Sequence, residues 1–181
     1  MSFIVIIPAR FSSSRLPGKP LIDIGGKPMI ERVYGLAKQS KAKEVYVATD
    51  HQEILDCCSS FGAKAVMTKP EHLTGTDRVA ETTEILNLTS ETVIVNLQGD
   101  EPFLNFNDID NLAKFFIKEK RFDIGTLFSN FTDKQNQSDP NLVKLWVDKE
   151  QAVKGFSRRR DFIKSSLLMR ALHIGVYAYK V

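Results

Sequence analysis

The chain has 181 residues, of which 43% are hydrophobic and 26% are charged, and its formal net charge is +3. This composition is typical of one ordinary globular domain. The mild positive charge is spread along the chain, which argues against a nucleic-acid-binding protein and weakly favours small anionic ligands. The sequence shows neither a secretory start nor a run of membrane-spanning length, so we expect a cytoplasmic protein without membrane insertion.

The first chemical motif is a basic loop that follows an apolar strand. Residues 3–7 form a short β-rich run, and the loop after it carries Arg10, Arg15 and Lys19. A loop in this position leaves the carboxyl edge of a sheet, where open α/β folds bind their ligands. The two arginines offer planar donor forks to phosphate oxygens and the lysine offers a point charge, so the loop predicts a triphosphate-binding site. By themselves, three scattered cations fit a solvated loop equally well.

Hydrophobic periodicity then alternates between helix-like and strand-like segments. Helices are expected at 30–37, 77–86 and 109–117, and strands at 45–48, 63–67, 92–97 and 125–131. Asp50 followed by Glu53 resembles a cap for a further helix. From residue 139 onward, a hairpin with strands at 142–147 and 152–156 is expected. The alternation predicts a single α/β domain over residues 1–181, with a Rossmann-like, mostly parallel sheet and helices on both faces.

A second motif, from Gln98 to Pro102, follows the apolar strand at 92–97 and reads Gln-Gly-Asp-Glu-Pro. It should place Asp100 at the same sheet edge as the basic loop. Mg²⁺ bound to nucleotides is usually held by one or two carboxylates and phosphate oxygens, so Asp100 is a candidate metal ligand. Alone, these residue types are more typical of a simple turn than of a metal site.

A third motif comprises Thr74, Gly75 and Thr76, followed by Asp77 and Arg78. A glycine before a helix start would let hydroxyl groups and backbone donors face a base or a sugar. An ordinary helix N-cap explains the same residues equally well.

Taken together, these motifs resemble the 3-deoxy-manno-octulosonate (Kdo) cytidylyltransferases. The resemblance rests on residues 6–21 with their Leu-Pro-Gly-Lys-Pro-Leu ending, on the Gln-Gly-Asp-Glu-Pro motif, and on segments 46–51, 140–144, 156–158 and 173–179. It spans nearly the whole chain. It implies a fold of the nucleotide-diphospho-sugar transferase type and transfer of CMP from CTP to Kdo, with release of pyrophosphate. The product, CMP-Kdo, would serve lipopolysaccharide biosynthesis.

The resemblance also implies roles for particular residues. The implied catalytic residues are Arg10, Arg15, Lys19 and Asp100, with Asp100 binding the Mg²⁺ cofactor. The implied nucleotide-binding residues are Pro8, Ala9, Arg10, Arg15, Lys19, Thr74, Gly75 and Thr76, of which 74–76 would lie beside cytosine. The implied sugar-binding residues are Arg78, Gln98, Arg158, His173 and Tyr177. Considered singly, His173 and Tyr177 are also ordinary strand residues.

The sequence departs from this family in two places. Arg159, Arg160, Asp161 and Phe162 replace a longer, proline-containing segment, and the last residue, Val181, falls within an expected strand. Family members continue through a region that forms a homodimer and supplies a second metal-binding aspartate. We therefore expect that region to be lacking, with Asp77 and Asp161 as the first candidates for a second carboxylate.

Two alternatives stay open at this point. One is activation of another acidic sugar, 8-amino-Kdo or sialate, by the same phosphate machinery. The other is an inactive remnant that binds nucleotide without turnover.

Overall fold

A computed structural model of the chain describes residues 2–12, 16–132, 139–159 and 167–181. Arg15 and Asp161, which received roles from the sequence, lie outside the described residues. The strands are β1 (Phe3–Ala9), β2 (Glu44–Thr49), β3 (Ala65–Met67), β4 (Val93–Leu97), β5 (Ile124–Ser129), β6 (Lys144–Val147), β7 (Val153–Ser157) and β8 (Met169–Lys180). The helices are α1 (Met29–Ala37), α2 (Gln52–Ser60), α3 (Gly75–Ile85) and α4 (Phe106–Lys118), with a 3-10 turn at Lys19–Leu21.

The chain divides into two compact units, and the first comprises residues 1–125 and 176–181. Its sheet has the strand order β3-β2-β1-β4, all parallel, and the end of β8 pairs antiparallel with β4. The alternation of strands and helices along this part of the chain confirms the predicted mixed α/β fold with a mostly parallel sheet. The single-domain assignment stays a prediction.

The two central strands explain why this sheet has helices on both faces. All seven residues of β1 and all five of β4 are buried, as expected of parallel strands covered on both sides. On one face, Ile4 and Ile6 pack with Val79 of α3. Val5 and Ile7 point to the other face and are also fully buried, and α1 and α4 contact the strands there.

The second unit comprises residues 126–175. Here β6 pairs antiparallel with β7 and with the first residues of β8, while β5 also pairs with β8. Leu145, Val147 and Ala171 form its buried core, with Phe128 packed against them. The β6–β7 pairing confirms the hairpin predicted from residue 139 onward. No helix in the described ranges is long and apolar enough to cross a membrane.

The predicted cap at Asp50 is wrong. The N-cap of α2 is His51, whose Nδ1 accepts a hydrogen bond from the Glu53 backbone N–H at 3.4 Å. The Asp50 carboxylate instead accepts hydrogen bonds from Phe11 and Arg78, which are distant in sequence. Local spacing suggested a cap, but an arginine partner makes a stronger, charge-assisted hydrogen bond than a helix N–H.

Helix α3 begins with a capping box, two residues before the start predicted from the sequence. The Thr74 hydroxyl accepts from the Asp77 backbone N–H at 3.1 Å, and the Asp77 carboxylate accepts from the Thr74 backbone N–H at 3.1 Å. The same hydroxyl also donates to Asp77 at 2.7 Å. These bonds satisfy backbone donors that a helix start otherwise leaves unpaired, and they lower the pKa of Asp77.

We expect Thr74→Ala to lower the free energy of unfolding by about 1 kcal/mol, because it removes the capping hydroxyl. Thr74→Ser keeps the hydroxyl and serves as the control. A carboxyl group whose pKa is lowered in the folded state stabilises the fold above its ordinary pKa, and this stabilisation is lost as the pH falls through the lowered value. The difference in free energy of unfolding between Thr74→Ala and the parent, measured by chemical denaturation, should therefore become smaller in acid. Equal stability of the two variants at neutral pH would contradict the capping role.

Candidate active site

A cleft of about 480 Å³ opens at the carboxyl ends of β1 and β4, within the first unit. Parallel neighbours place the loops that follow them at one edge of the sheet, and the register of β1 with β4 does this here. The cleft is lined by Pro8, Ala9, Arg10, Leu16, Lys19, Pro20, Gln98, Gly99 and Asp100. The basic loop and the Gln-Gly-Asp-Glu-Pro motif therefore meet, as the sequence predicted.

Two glycines approach the end of β1 closely. A Cβ atom on Gly99 would lie 3.0 Å from the Pro8 carbonyl oxygen, and one on Gly75 would lie 3.2 Å from the Pro8 ring. Such a contact with a backbone atom is tighter than real Cβ contacts usually are, so a methyl group at Gly99 would require the Pro8 carbonyl to move by a few tenths of an ångström. The α3 start and the β4 end are thereby brought against Pro8, at the floor of the cleft.

The two motifs are joined by an ion pair. Lys19 Nζ donates to Asp100 Oδ2 at 2.6 Å, although the residues are 81 positions apart in the chain. Both side chains are accessible, at 36% and 50% exposure. Beside them, burial and then the Asp100 charge raise the pKa of Glu101, while Lys19 opposes this shift. The cleft thus holds opposite charges side by side and open to solvent.

Phe11 fixes the basic loop through its backbone and its ring. Its N–H donates to Asp50 Oδ1 at 3.0 Å, and its carbonyl accepts from the Gly18 N–H at 3.0 Å. Its ring stacks on His51, with centroids 3.8 Å apart. Gly18 has a φ of 66°, a left-handed conformation that favours glycine, just before the turn that presents Lys19. Phe11 therefore connects the residues that follow Arg10 with those that precede Lys19.

Gln98 lies in the cleft at the end of a polar chain. Its Nε2 donates to Asn96 Oδ1 at 3.0 Å, and Asn96 Nδ2 donates to the Tyr179 hydroxyl at 3.4 Å. Asn96 is fully buried, and burial raises the pKa of Tyr179. A neutral phenol and a buried amide hold the Gln98 side chain in one orientation, so its amide oxygen is presented near Gly75.

Arg78 is not in the lining of the cleft. Its side chain is 2% exposed and donates to Asp50 Oδ2 at 2.8 Å, to the Lys69 carbonyl at 3.3 Å, and to Thr68 Oγ1. A ligand would have to displace buried partners to reach it. The sugar-binding role that the resemblance implied for Arg78 stays a prediction, and its burial does not favour that role.

The other residues implied to bind sugar lie in both units. In the second unit, Arg158 donates to the Pro140 and Asn141 carbonyls at 3.1 Å each. His173 Nε2 lies 3.0 Å from Thr126 Oγ1, and burial lowers the pKa of His173. Tyr177, on the part of β8 that belongs to the first unit, has its pKa raised by burial. Their assignment to the sugar stays a prediction.

Among the described residues, no group of three or more His, Cys, Asp or Glu side chains could hold a metal ion. Asp100 is the carboxylate that lines the cleft, and its side chain is 50% exposed. Asp77, considered as a second carboxylate, is engaged in the capping box, and Asp161 lies outside the described residues. One carboxylate together with ligand oxygens is a donor set that Mg²⁺ accepts.

Sequence reasoning missed several residues that build this site. Leu16, Pro20 and Gly99 line the cleft, and Phe11 holds the loop. These residues lie within or beside the predicted motifs, but their side chains carry no charge that would indicate a contact with a ligand. A glycine or an aromatic residue beside a cation is a usable signal, because presenting a charge requires a fixed backbone.

The chain is similar in sequence to known enzymes. A family model described as cytidylyltransferase matches residues 4–181. The chain is accordingly a cytidylyltransferase, an enzyme of the nucleotidyltransferase class.

Two relatives narrow the class. The 3-deoxy-manno-octulosonate cytidylyltransferase of Francisella philomiragia is 41% identical over 98% of this chain and 74% of its own length. That of Saccharophagus degradans is 43% identical over 100% of this chain and 76% of its own length. The chain belongs to the 3-deoxy-manno-octulosonate cytidylyltransferase family.

Two solved structures superpose on the chain. CMP:2-keto-3-deoxy-manno-octonic acid synthetase complexed with CTP superposes with a TM-score of 0.86 at 38% identity, over 99% of this chain and 73% of that one. The 4-diphosphocytidyl-2C-methyl-D-erythritol synthase of Anaerococcus prevotii, at 17% identity, has a TM-score of 0.60 over 99% of this chain and 71% of that one. The second likeness shows the fold alone.

We expect Gly99→Ala to destabilise the protein by roughly 1 to 3 kcal/mol, because the new methyl group would press on the Pro8 carbonyl. Gly35→Ala is the control, since a Cβ atom there meets nothing within 4 Å and alanine favours the helix interior. Urea denaturation of both variants measures the difference. A neutral Gly99→Ala would mean that β1 and β4 are not packed as closely as described.

Proposed function

We propose that this chain transfers CMP from CTP to Kdo. The anomeric hydroxyl of the sugar attacks the α-phosphorus, the bond from that phosphorus to the bridging oxygen breaks, pyrophosphate leaves, and the hydroxyl proton passes to solvent. The observation that carries the proposal is the meeting of Lys19 and Asp100 in one cleft at the carboxyl edge of a parallel sheet. Relatives that are 41% and 43% identical and carry this activity in their names support it.

The Lys19–Asp100 pair is weak enough to exchange for a ligand. An exposed ion pair contributes only about 0.2 to 1 kcal/mol, whereas a hydrogen bond to a charged group contributes roughly 1.5 to 3 kcal/mol. A triphosphate entering the cleft therefore competes successfully for the Lys19 ammonium. Arg10, exposed at the end of β1, adds a guanidinium fork to the same cleft. In the ligand-free protein Asp100 keeps Lys19 in place, which lowers the cost of ordering it on binding.

Release of Lys19 also frees the Asp100 carboxylate. We propose that Asp100 and phosphate oxygens hold a Mg²⁺ ion, which supplies positive charge beside the reacting phosphate when bound. Acting together, Arg10 and Lys19 neutralise the charge that builds up on the departing pyrophosphate. Phosphoryl transfer depends mainly on such positioning and neutralisation, so no covalent nucleophile is required from the chain. Arg15 is proposed for the same role on the resemblance alone.

The base is proposed to lie against Pro8, Ala9 and residues 74–76. The Thr74 hydroxyl is occupied by the capping box, so the backbone groups of Gly75 and Thr76 are better placed to recognise a pyrimidine edge. A Cβ atom on Gly75 would lie 3.2 Å from the Pro8 ring, so the start of α3 lies close to the end of β1. The preference for a pyrimidine over a purine is proposed on the family resemblance.

The remaining proposals rest on the family. Sugar recognition is assigned to Gln98, Arg158, His173 and Tyr177, with Arg78 as the least supported member because of its burial. We further propose a cytoplasmic homodimer that serves lipopolysaccharide biosynthesis.

We predict that CTP binds more tightly than ATP or GTP when Mg²⁺ is present, as measured by calorimetric titration. Pyrophosphate release should then require Kdo and be much slower with sialate. Faster pyrophosphate release with sialate than with Kdo would mean that sialate is the acceptor. CTP binding without pyrophosphate release for any sugar would mean that the chain binds nucleotide but is not an active transferase. Tighter binding of ATP would contradict the cytidylyltransferase proposal itself.

We also predict that Lys19→Ala weakens CTP binding by roughly 1.5 to 3 kcal/mol with little change in melting temperature, because the side chain is exposed and acts on the ligand. Lys27→Ala is a matched control: Lys27 also pairs with a carboxylate at 2.6 Å, that of Glu31, but is not in the lining of the cleft. If both variants bound CTP equally well, Lys19 would not be a phosphate contact.

A further inference from the structure

We infer that Asp50 and Arg78 are positioning residues: together they hold the backbone of the phosphate loop, defined here as residues 10–12 and 16–19, without touching the nucleotide themselves. The inference rests on the proposed function only in that the loop binds a triphosphate. It gives Arg78 a different role from sugar binding, and it gives a role to Asp50, which the sequence pattern had indicated as a local cap.

The geometry divides the Asp50 carboxylate between two partners. Oδ1 accepts the Phe11 N–H at 3.0 Å, and Oδ2 accepts from Arg78 Nη2 at 2.8 Å. Phe11 stands directly after Arg10, which lines the cleft, and its carbonyl accepts from the N–H of Gly18, directly before Lys19. The Asp50 carboxylate therefore holds the backbone of Phe11, which lies between Arg10 and Lys19 in the loop.

Arg78 in turn fixes the carboxylate. Besides Asp50, its guanidinium donates to Thr68 and to the Lys69 carbonyl, and the Thr68 hydroxyl donates to the Thr49 carbonyl at 2.9 Å. Thr49 ends β2 and pairs with Ala9, the last residue of β1. Arg78 thus links Asp50 to the ends of β2 and β1 through Thr68 and Thr49. The loop is thereby held in a fixed position relative to β1, the strand that it follows.

Burial favours this positioning role over direct ligand contact. The Arg78 and Asp50 side chains are 2% and 9% exposed, whereas Lys19 and Asp100 in the cleft are 36% and 50% exposed. A buried charge needs its partners at all times, because losing one leaves the other charge without compensation. Groups that exchange partners with a substrate are those that solvent can reach, and this pair is not among them.

The first test is a CTP titration of Asp50→Asn, which keeps the shape of the side chain but removes its charge. We expect CTP affinity to fall by about tenfold, comparable to losing one hydrogen bond to a charged group. Val79→Ala is the control: Val79 is the next residue of α3 and is fully buried, but it packs on Ile4, Ile6 and Ile94 rather than on the loop. It should lower stability and leave CTP affinity unchanged. All titrations are run well below each variant's melting temperature.

Steady-state kinetics separate loop positioning from sugar binding. Asp50→Asn and Arg78→Lys should raise the KM for CTP and leave the KM for Kdo unchanged. A raised KM for Kdo with an unchanged KM for CTP would overturn the inference and restore Arg78 to the sugar. Equal CTP affinity of Asp50→Asn and the parent would also overturn it.

A second measurement needs no nucleotide. Amide hydrogen exchange at Phe11, followed by NMR, should be faster in Arg78→Met than in the parent, while Val79→Ala leaves it unchanged relative to other core amides. Unaltered protection of Phe11 in a folded Arg78→Met protein would overturn the inference. If Arg78→Met does not fold, the same comparison is made with Asp50→Asn, whose neutral amide should protect Phe11 less than the carboxylate. Failure of the parent to bind CTP would instead count against the proposed function.

Discussion

The parallel pairing of β1 between β2 and β4 is the constraint on which the rest of this protein depends. Residues 4–9 of β1 pair with 44–49 of β2, and residues 3–6 pair with 93–96 of β4. This register brings the loops after all three strands to one edge, so Arg10, Asp50 and Gln98 become neighbours in space. A slip by one residue would turn the buried side chains of β1 to the opposite faces, and it would also remove Asp50 from the amide of Phe11.

At this edge of the sheet the charges form two ion pairs, one accessible to solvent and one largely shielded from it. Lys19 and Asp100 are accessible and pair with each other across the cleft. Arg78 is buried and the Asp50 side chain is 9% exposed, so solvent reaches this pair far less than it reaches Lys19 and Asp100. The loop is held by its backbone, through Phe11, so the holding interactions do not use the donors of Arg10 or Lys19. Backbone contacts of this kind leave the Arg10 and Lys19 side chains available to a ligand, as the proposed electrostatic role of these cations requires.

The sequence predicted the features that follow from local hydrophobic patterns and from the common edge of parallel strands. Apolar strands followed by charged loops implied the meeting of Lys19 with Asp100, because the carboxyl ends of parallel strands share an edge. An N-cap was one of two interpretations of residues 74–78, and the structure shows a capping box there, although α3 begins two residues before the predicted helix 77–86. Asp50 was misassigned because a carboxylate three residues before a glutamate looks like a cap, and nothing in the local pattern reveals an arginine 28 residues away. Likewise, the closeness of Gly99 to Pro8 is a property of strand spacing and has no signature in composition.

The chemistry of the buried pair explains why a hydrophobic substitute would not serve. Replacing a buried ion pair by apolar residues of similar size is often neutral or stabilising, so stability alone does not account for Asp50 and Arg78. An apolar side chain, however, cannot accept the Phe11 N–H, and that donor would then be unpaired beneath the loop. A neutral acceptor could satisfy the donor but would lack the second, charge-assisted bond that fixes its orientation. The role of Arg78 is therefore to orient the Asp50 carboxylate. In that orientation the carboxylate accepts the Phe11 N–H and so holds the backbone of the loop.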